Sequence, residues 1–467
     1  MSMVPKLPAI SLPLLVLVLN LILGGCARYQ SFPLPGGSPL VANVARLDTE
    51  LPRGSSGIHP VNLADGLDLD EIAVLAAVND PDLRARRAAL GIAQAQVLAA
   101  GLFPDPQISA GWDFPTSHMT GLVNGWGLAL NYDFIALLTR PARLEAARRH
   151  QDKIHLQILW QEWQVIRQAR TLAVRYQLEI ERLKRLEAVL TLYHQRSRRS
   201  ARALASGDVT LDVHGTDLTA LLQLYSQINQ LRQTHNVTSH QLRRILGLEP
   251  SAALKLAPLP KYTRVAQPDL TLLLPSLASR RPDLLALKAG YRSQEARVRA
   301  AILAQFPSLS LGVAGARDTG SVNTIGPTAT LTLPLFARGR GRISMARATR
   351  SQLAQEFQAR LAESQVAVDQ FRRQQAIILD QMDILDRYLP QLQPLVVQAR
   401  SAYNRGEINP LIYLNLELTL LKQQLARIQL QQTLWSLRFR LEALLAWPES
   451  LTEHLAPPPA ANADPKT

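Results

Sequence analysis

Residues 81–136 read PDLRARRAALGIAQAQVLAAGLFPDPQISAGWDFPTSHMTGLVNGWGLALNYDFIA, and a diverged copy of this stretch follows 201 residues later, at residues 282–337. The two copies align over 56 positions without a gap. Self-similarity at a fixed long period indicates a duplicated structural unit. We therefore predict two copies of one unit. The identical pairs include Pro81/Pro282, Asp82/Asp283, Leu83/Leu284, Ala95/Ala296, Val97/Val298, Pro106/Pro307, Ser109/Ser310, Gly111/Gly312, Leu130/Leu331 and Ala136/Ala337.

Each copy predicts a short helix, two strands and the start of a very long helix. In the first copy apolar residues alternate with small or polar ones over 108–114 and 126–134, and the second copy keeps this parity over 309–313 and 331–335. Strands of about 10 residues with aromatic ends, apolar on one face and polar on the other, are typical of a transmembrane β-barrel with a water-filled lumen. A soluble antiparallel hairpin packed on a core is the alternative.

Long helical patterns follow each predicted hairpin. They run over about 141–206 and 342–405, and return helices follow at about 211–246 and 410–446. Apolar residues seven apart indicate coiled-coil seams, and about 65 residues make a rod of roughly 95 Å. The short helix and the return helix together nearly match the rod in length. They can stack end to end beside it, with the hairpin at one end of the wall and a glycine turn at the other. The seam residues are Leu159, Ile166, Ala173, Ile180, Leu218, Leu221, Tyr225 and Ile228, and in the second repeat Leu414, Leu418, Leu421, Leu425 and Ile428.

The composition excludes several classes of protein. The chain has 467 residues, 47% of them hydrophobic and 19% charged, with a net charge of +14. Outside residues 7–23 no apolar run approaches the ~20 residues of a membrane helix. The positive charge is spread over arginine-rich helices and has neither a recognition motif nor a basic tail, so a solvated surface is favoured over nucleic-acid binding.

No catalytic or cofactor motif is present. The sequence contains no His-Glu-x-x-His, no phosphate loop and no Gly-x-Ser-x-Gly elbow. The nine histidines are scattered and the five methionines do not cluster. We therefore predict neither an enzyme nor a metal site, and no cofactor.

The N-terminus is similar to a bacterial lipoprotein signal. Residues 1–25 combine Lys6 with an apolar segment, and Leu23-Gly24-Gly25-Cys26 resembles a lipobox. The resemblance implies cleavage before Cys26 and acylation of its thiol. Cys26 is the only cysteine, which excludes disulfides within the chain. The next residue is Ala27. An aspartate at that position would resemble an inner-membrane retention signal, so the alanine favours the outer membrane.

The rest of the chain divides into five segments. We predict an extended tether over residues 26–66, a first repeat over 67–247, a connector over 248–280 and a second repeat over 281–447. Residues 448–467 are rich in proline and alanine and predict a disordered tail. A short amphipathic helix is predicted to begin near Leu67.

The order and spacing of these features over residues 67–447 resemble the TolC-like outer-membrane efflux proteins. The features are the duplicated halves, the Pro-Asp-Leu openings, the strand starts at 106–109 and 307–310, and the glycine turns at 207–208 and 406–407. The resemblance implies a mainly α fold with transmembrane β structure. Three chains each give four strands to a twelve-stranded barrel and their helices to a periplasmic α-barrel. It also implies a passive duct that docks on a periplasmic adaptor protein and an inner-membrane pump. The run LFPDPQ at 102–107 is most similar to the branch that works with heavy-metal exporters.

The two helical turns are predicted to form the far tip of the duct. A glycine just after a helix can adopt the left-handed conformation that satisfies the last carbonyl groups. We expect the tip to form the adaptor-docking surface. Acidic residues that the family often has six and nine positions after the second turn glycine are here Ile412 and Asn415, so a carboxylate ring at the entrance is not carried over. A basic run beside the first turn is interpreted as a solvated face, with adaptor docking as the alternative. The tip residues are Gly207, Asp208, Val209, Gly406, Glu407 and Ile408, and the basic run is Arg196, Arg198, Arg199 and Arg202.

Four strands per chain are too few for a barrel, because known barrels start at eight strands. Unpaired edges in hydrocarbon cost several kcal/mol per backbone group, so the chain must associate. Two copies would give eight strands and three would give twelve, and the family resemblance implies the homotrimer. Two other hypotheses compete with an outer-membrane efflux duct: a periplasmic coiled-coil structural lipoprotein without a pore, and a lipid-anchored enzyme.

Overall fold

The computed structural model describes residues 29–50, 61–62, 66–116, 121–260, 262, 270–333, 336 and 339–445. The chain divides into two compact units, residues 1–39 and 40–467. Residues 29–39 of the first unit contain no helix or strand. Every helix and strand of the described residues therefore lies in the second unit. The predicted signal peptide, Cys26 and the predicted tail lie outside the described residues.

The second unit contains two copies of the predicted order of elements. The first repeat consists of α1 (Leu69–Asn79), α2 (Pro81–Gly101), β1 (Gln107–Asp113), β2 (Gly125–Asp133), α3 (Phe134–Ala205) and α4 (Leu211–Ile245). The second consists of α5 (Leu270–Arg280), α6 (Pro282–Leu303), β3 (Ser308–Arg317), β4 (Asn323–Thr332), α7 (Arg340–Asn404) and α8 (Pro410–Leu445). The predicted fold class is confirmed, since long helices carry four strands.

The prediction that α3 begins near Pro141 is wrong by about two turns. The helix has 72 residues and begins at Phe134, which was predicted to end a strand. The Asp133 side chain accepts hydrogen bonds from the amides of Ile135 and Ala136, and the Thr139 hydroxyl bonds back to the Ile135 carbonyl. Because these bonds complete the first turn, the helix starts before the proline and tolerates it.

Helix α1 is not amphipathic as predicted but buried on every side. All residues from Glu71 to Asn79 are buried. The Glu71 carboxylate is the acidic partner of a capping box with Asp68 and also accepts a hydrogen bond from the Asn62 amide at 2.5 Å. These bonds satisfy a carboxylate that would otherwise be costly to bury.

The short helix α2 stacks on the return helix α4, as their lengths predicted. Arg244 near the end of α4 forms an ion pair of 2.7 Å with Asp82 in the first turn of α2. Gly247 lies so close to Asn79 that a Cβ there would be 2.8 Å from the Asn79 carbonyl oxygen. Both α2 and α4 pack along α3.

The second repeat packs against the first through α6 and α8. Helix α6 lies between the rods α3 and α7, because Ser293 donates to the Ala146 carbonyl and Gln294 donates to the Ala346 carbonyl. Helix α8 contacts α7 and α3. Near the turns an apolar core joins the two helical hairpins, and it is formed by Leu186, Tyr193, Leu221, Leu224, Ile228, Leu231, Leu414 and Leu421.

The four strands form one antiparallel sheet in the order β1-β2-β3-β4. The pairing of β2 with β3 joins the two repeats. Because each hairpin leads into its own rod, the sheet lies at the opposite end of the rods from the glycine turns.

The predicted tether and connector carry more structure than their composition indicated. Val41 exchanges backbone hydrogen bonds with the segment at Gly247 and Glu249, and Leu67 does the same with Lys255 and Ala257. Helix α5 lies within the predicted connector despite Pro275. Backbone pairing between segments far apart in sequence leaves no periodic signal, so sequence patterns miss it.

Candidate functional site

The sheet has one apolar face and one face of small and polar side chains. Its register places Ile108 opposite Leu130 and Leu130 opposite Val313, so the apolar residues of successive strands share a face. On that face Ile108 is 72% exposed and Ile325 is 83% exposed. An exposed apolar surface of this extent indicates a membrane or a protein partner. The face is completed by Ala110, Trp112, Trp126, Leu128, Tyr132, Leu309, Leu311, Pro327, Ala329 and Leu331.

The opposite face is closely packed and polar. The Thr328 hydroxyl donates a hydrogen bond of 3.1 Å to the Asn131 side chain across the strand that carries Gly312. A Cβ at Gly312 would overlap the carbonyl oxygen of Leu130. Only glycine fits there, and the polar face can therefore stay flat enough to line a water-filled space.

The outer strands β1 and β4 each have a partner on one side only among the four described strands. Their free edges present unpaired N–H and C=O groups that can pair with another chain.

A stripe of exposed apolar residues runs along α7. Its members are separated by 11, 7, 4 and 7 positions, which are close to whole numbers of helical turns, so they share one face. Their exposed fractions are 68, 58, 54, 56 and 53%. Since α7 packs on α6 and α8, this stripe lies on its remaining side. The stripe consists of Val366, Ile377, Ile384, Tyr388 and Leu395.

A second stripe lies on α4 at the other end of the layer. Leu211, Leu218 and Leu222 are 74, 42 and 59% exposed and recur at intervals of 7 and 4. Leu218 was predicted to lie in the seam against α3. Instead Leu221 packs in the seam and Leu218 lies outside it. The apolar residues of α4 cover a wide face, so one side of that face packs on α3 and the other side is exposed.

The two helical turns have the same backbone geometry. Gly207 has a φ of 81° and Gly406 a φ of 77°. The amide of Asp208 bonds to the Ala203 carbonyl at 2.8 Å, and the amide of Glu407 bonds to the Ala402 carbonyl at 2.9 Å. These are the bonds of a Schellman motif, and they confirm the predicted left-handed glycines.

Charged side chains cover both turns. Arg405 forms a two-pronged ion pair with Glu407, with distances of 2.5 and 2.8 Å. The hydrogen bond from Arg405 lowers the pKa of Glu407, and the same bond raises the pKa of Arg405. At the first turn the Ser206 hydroxyl donates to Asp208 at 2.5 Å. Both turns are thus hydrated and locally fixed.

Val209 and Ile408 occupy the same place in their turns and are only half-exposed. Ile408 packs on an apolar cluster that includes Val396, Tyr413 and Leu420. Of the two predicted entrance positions, Ile412 is 53% exposed and Asn415 is exposed. Neither takes part in a charged group.

Sequence reasoning missed a polar cluster just inside the second turn. Burial raises the pKa of Glu417, which the nearby Arg400 and a hydrogen bond with Tyr413 partly oppose. Tyr413 stacks on Tyr403 at 5.3 Å, and Tyr403 accepts a hydrogen bond of 3.4 Å from Arg199 of the other hairpin. A sequence signal existed, because Glu417 is the only acidic residue among positions 410–441.

The basic run beside the first turn is divided by the fold. Arg196 is largely buried and forms an ion pair of 2.7 Å with the buried Asp217 of α4. Arg198 and Arg202 are exposed. Arg196 therefore joins α3 to α4 inside the fold, whereas Arg198 and Arg202 lie on the surface.

In the part of the chain that the structure describes, no group of three or more His, Cys, Asp or Glu side chains could hold a metal ion. Among the same residues, no helix combines the length and the apolar character that a membrane span requires.

The chain is similar to outer membrane efflux proteins in part of its sequence and to outer membrane channels in its fold. Residues 273–446 match the family "Outer membrane efflux protein". No curated protein matches the sequence significantly. CusC, studied for transmembrane channel formation, superimposes with a TM-score of 0.67 at 18% identity, over 90% of this chain and 99% of CusC. The Campylobacter jejuni CmeC outer membrane channel gives 0.68 at 15% identity, over 92% and 98%.

The open state of the Neisseria gonorrhoeae MtrE outer membrane channel gives a TM-score of 0.66 at 15% identity, over 90% of this chain and 98% of MtrE. The predicted resemblance to TolC-like outer-membrane efflux proteins is confirmed, since the family match covers most of the second repeat and the shared fold covers both repeats.

Proposed function

We propose that this chain, which has the fold of the outer membrane efflux channels, is the outer-membrane component of a tripartite efflux system. It would form a passive duct that carries substrates from a pump and adaptor across the periplasm and the outer membrane. The observation that carries this proposal is the two-faced sheet, whose apolar face is exposed and whose polar face is flat, mounted on helices of 72 and 65 residues. At 1.5 Å per residue these helices span roughly 100 Å.

The active form would be a homotrimer in the outer membrane. In lipid the free edges of β1 and β4 must be paired, so β4 of one chain would join β1 of the next. The apolar stripe on α7 would cover the stripe on α4 of the neighbouring chain. The number three comes from the family, and the requirement to associate comes from the unpaired edges.

The internal repeat predicts where neighbouring chains touch. Within one chain, Ser293 of α6 lies against Ala146 of α3. The 201-residue shift carries Ser293 onto Ile92 of α2, which is 64% exposed, and Ala146 onto the start of α7, near Met345 and Arg347. If chains repeat the contact that the halves make, Ile92 of one chain would lie beside residues 345–347 of the next.

Cysteine crosslinking tests this contact. Ile92→Cys combined with Met345→Cys or Arg347→Cys should give covalent dimers and trimers on oxidation, while each single variant should not. The pair Leu98→Cys and Arg347→Cys is the matched control, because it is displaced along α2 by about 9 Å. Crosslinking by the control pair but not by the other pairs would refute the arrangement.

The turns would dock the adaptor. The tip segments carry charged, hydrated side chains on a fixed backbone at the end farthest from the sheet. Photo-crosslinkers at Val209 and Ile408 should capture an adaptor protein, and a crosslinker at Gly121, in the loop of the first hairpin, is the control. Capture at Gly121 alone would mean that the orientation is inverted.

The chain would also be anchored by acylation of Cys26, which supplements the barrel. Conductance in planar bilayers tests the duct itself. Stable, long-lived channels from the purified trimer are expected, whereas a structural lipoprotein without a pore would give none.

A further inference from the structure

The positive charge of the chain is concentrated near the sheet. Residues 81–101, 134–156, 282–303 and 340–350 form the helical layer beside the strands, and together they hold 16 Arg and Lys against 5 Asp and Glu. The difference of 11 accounts for most of the net charge of +14. Of the two rods towards the turns, residues 351–404 of α7 are nearly balanced with 5 Arg and Lys against 6 Asp and Glu, whereas residues 157–205 of α3 hold 10 against 4.

Every junction between a strand and a helix carries an exposed phenylalanine. Phe103 precedes β1, Phe134 follows β2, Phe306 precedes β3 and Phe336 follows β4. Their exposed fractions are 63, 41, 54 and 97%. Aromatic residues at the ends of the strands are typical of a membrane boundary.

Six arginines lie within about 14 Å of these junctions along the helices. Five of them are exposed, and within the described residues none forms an ion pair, although arginines elsewhere commonly do. The acidic residues near this level are Asp105, Asp133, which caps α3, Glu145, which pairs with Arg149 at 2.8 Å, and Glu295, which pairs with Arg350 at 3.1 Å. We call the six the junction arginines: Arg140, Arg143, Arg297, Arg299, Arg340 and Arg342.

One junction arginine shows which side the group faces. The Arg140 guanidinium lies 4.1 Å from the centre of the exposed Phe103 ring and donates a hydrogen bond of 2.8 Å to the Gly101 carbonyl. An exposed phenylalanine is stable against lipid and costly in a watery lumen. If the sheet lies in a membrane, the Phe103 ring favours the lipid side over the lumen, and Arg140 would lie beside it immediately beyond the apolar band.

The positive potential also acts on a neighbouring titratable group. Burial lowers the pKa of His150 on α3, and the charges of Arg297 and Lys153 lower it further. No carboxylate of the described layer offsets these charges at the imidazole.

We propose that the junction arginines bind the phosphate groups of anionic phospholipids in the membrane leaflet next to the helices. Guanidinium groups bind phosphate through paired hydrogen bonds, and basic side chains beside a bilayer attract anionic lipid. This inference rests on the proposed function, because it requires the sheet to be in a membrane. An anionic substrate inside the duct is the competing occupant, and the phenylalanines favour the lipid.

The test uses the purified full-length trimer in dodecyl maltoside. Binding of phosphatidylglycerol with a fluorescent acyl chain is followed by anisotropy, with phosphatidylcholine carrying the same label for comparison. The test variant is Arg140→Gln, Arg340→Gln and Arg342→Gln together. The matched control removes the same charge far from the sheet, by Arg198→Gln, Arg202→Gln and Arg387→Gln. A lysine version of the test variant keeps the charge.

The test variant should bind phosphatidylglycerol at least about fivefold more weakly, because each basic residue near anionic lipid contributes about a fivefold factor. The control variant should match the wild type, the lysine version should lose less than the glutamine version, and phosphatidylcholine binding should not change. High salt should weaken phosphatidylglycerol binding by the wild type.

Three results would overturn the proposal. They are unchanged phosphatidylglycerol binding by the glutamine variant, equal loss for both lipids, and unchanged lipid binding accompanied by a changed anion preference of the channel. Conductance of the wild type in phosphatidylcholine bilayers is measured alongside, and its absence would reject the duct rather than the lipid site.

Discussion

Alanine in place of Gly207 is expected to destabilise the turn between α3 and α4. Alanine in place of Gly215, eight residues later, is expected to stabilise the start of α4. No atom lies within 4 Å of a Cβ built at either position. At Gly207 the cost comes from the φ of 81° alone, and a left-handed residue with a Cβ costs roughly 1–2 kcal/mol. Gly215 lies inside α4, where alanine gains about 0.5–1 kcal/mol over glycine.

Amide hydrogen exchange at the turn and in the first turns of α4 measures the two effects. The Asp208 amide is bonded to the Ala203 carbonyl, so it exchanges only when the turn opens. Gly207→Ala should speed its exchange by about five- to thirtyfold, since 1.4 kcal/mol corresponds to a factor of ten. Gly215→Ala should slow exchange in the first turns of α4. Circular dichroism would establish that both variants keep the helical content of the wild type.

Gly207→Asn provides an independent check, because asparagine tolerates the left-handed region better than alanine does. It should fall between the wild type and Gly207→Ala. Effects of the same sign for Gly207→Ala and Gly215→Ala would refute the reasoning, since they would mean that the turn does not depend on the left-handed glycine.

Four further predictions concern function and assembly. Gly406→Glu should abolish export yet leave trimers in the outer membrane, as fractionation and crosslinking would show; loss of the trimer would contradict a role confined to the tip. Cys26→Ser should abolish labelling with palmitate, and equal labelling of variant and wild type would exclude acylation at that thiol. Gly312→Val should prevent the sheet from forming, because its side chain would overlap the Leu130 carbonyl, and gel migration would then show monomers. Burial raises the pKa of Glu417 above its ordinary 4.5, so its contribution to stability is complete below about that pH and is lost as the pH rises through the raised value. Glu417→Gln should flatten this decline in thermal unfolding between pH 4 and 7, and an unchanged slope would contradict it.

The repeats, strands and turns could be predicted because each leaves a local signal. Alternation at period two gives the faces of the strands, and the left-handed glycines stand where the helical pattern breaks. The start of α3 could not be predicted in the same way. Pro141 indicates a boundary, and only the bonds accepted by Asp133 show that the helix begins earlier.

The polar contacts inside the hairpins could not be predicted either. Arg196 belongs to a run of arginines that is typical of a solvated face, but Asp217 on the next helix withdraws it into the interior. Glu179 of α3 is buried in the same way, and its carboxylate accepts a hydrogen bond of 3.2 Å from the Thr238 hydroxyl of α4. Such pairs are set by the rotation of one helix against another, which the sequence of a single helix does not record.

The different burial of the two short helices reflects their positions and bears on assembly. Both open with Pro-Asp-Leu, yet α6 buries ten residues whereas α2 buries only Leu83 and Ala93. Helix α6 lies between two rods, and α2 has a rod on one side only. The sequence of α2 nevertheless keeps Ile92 and Leu98 on the open side, 64 and 68% exposed. Apolar residues there stabilise nothing in a single chain. Within one chain, α6 packs between α3 and α7. If α7 of a second chain packs on the open side of α2, then α2 also lies between two rods and its apolar residues are buried. The internal repeat therefore also specifies how chains join.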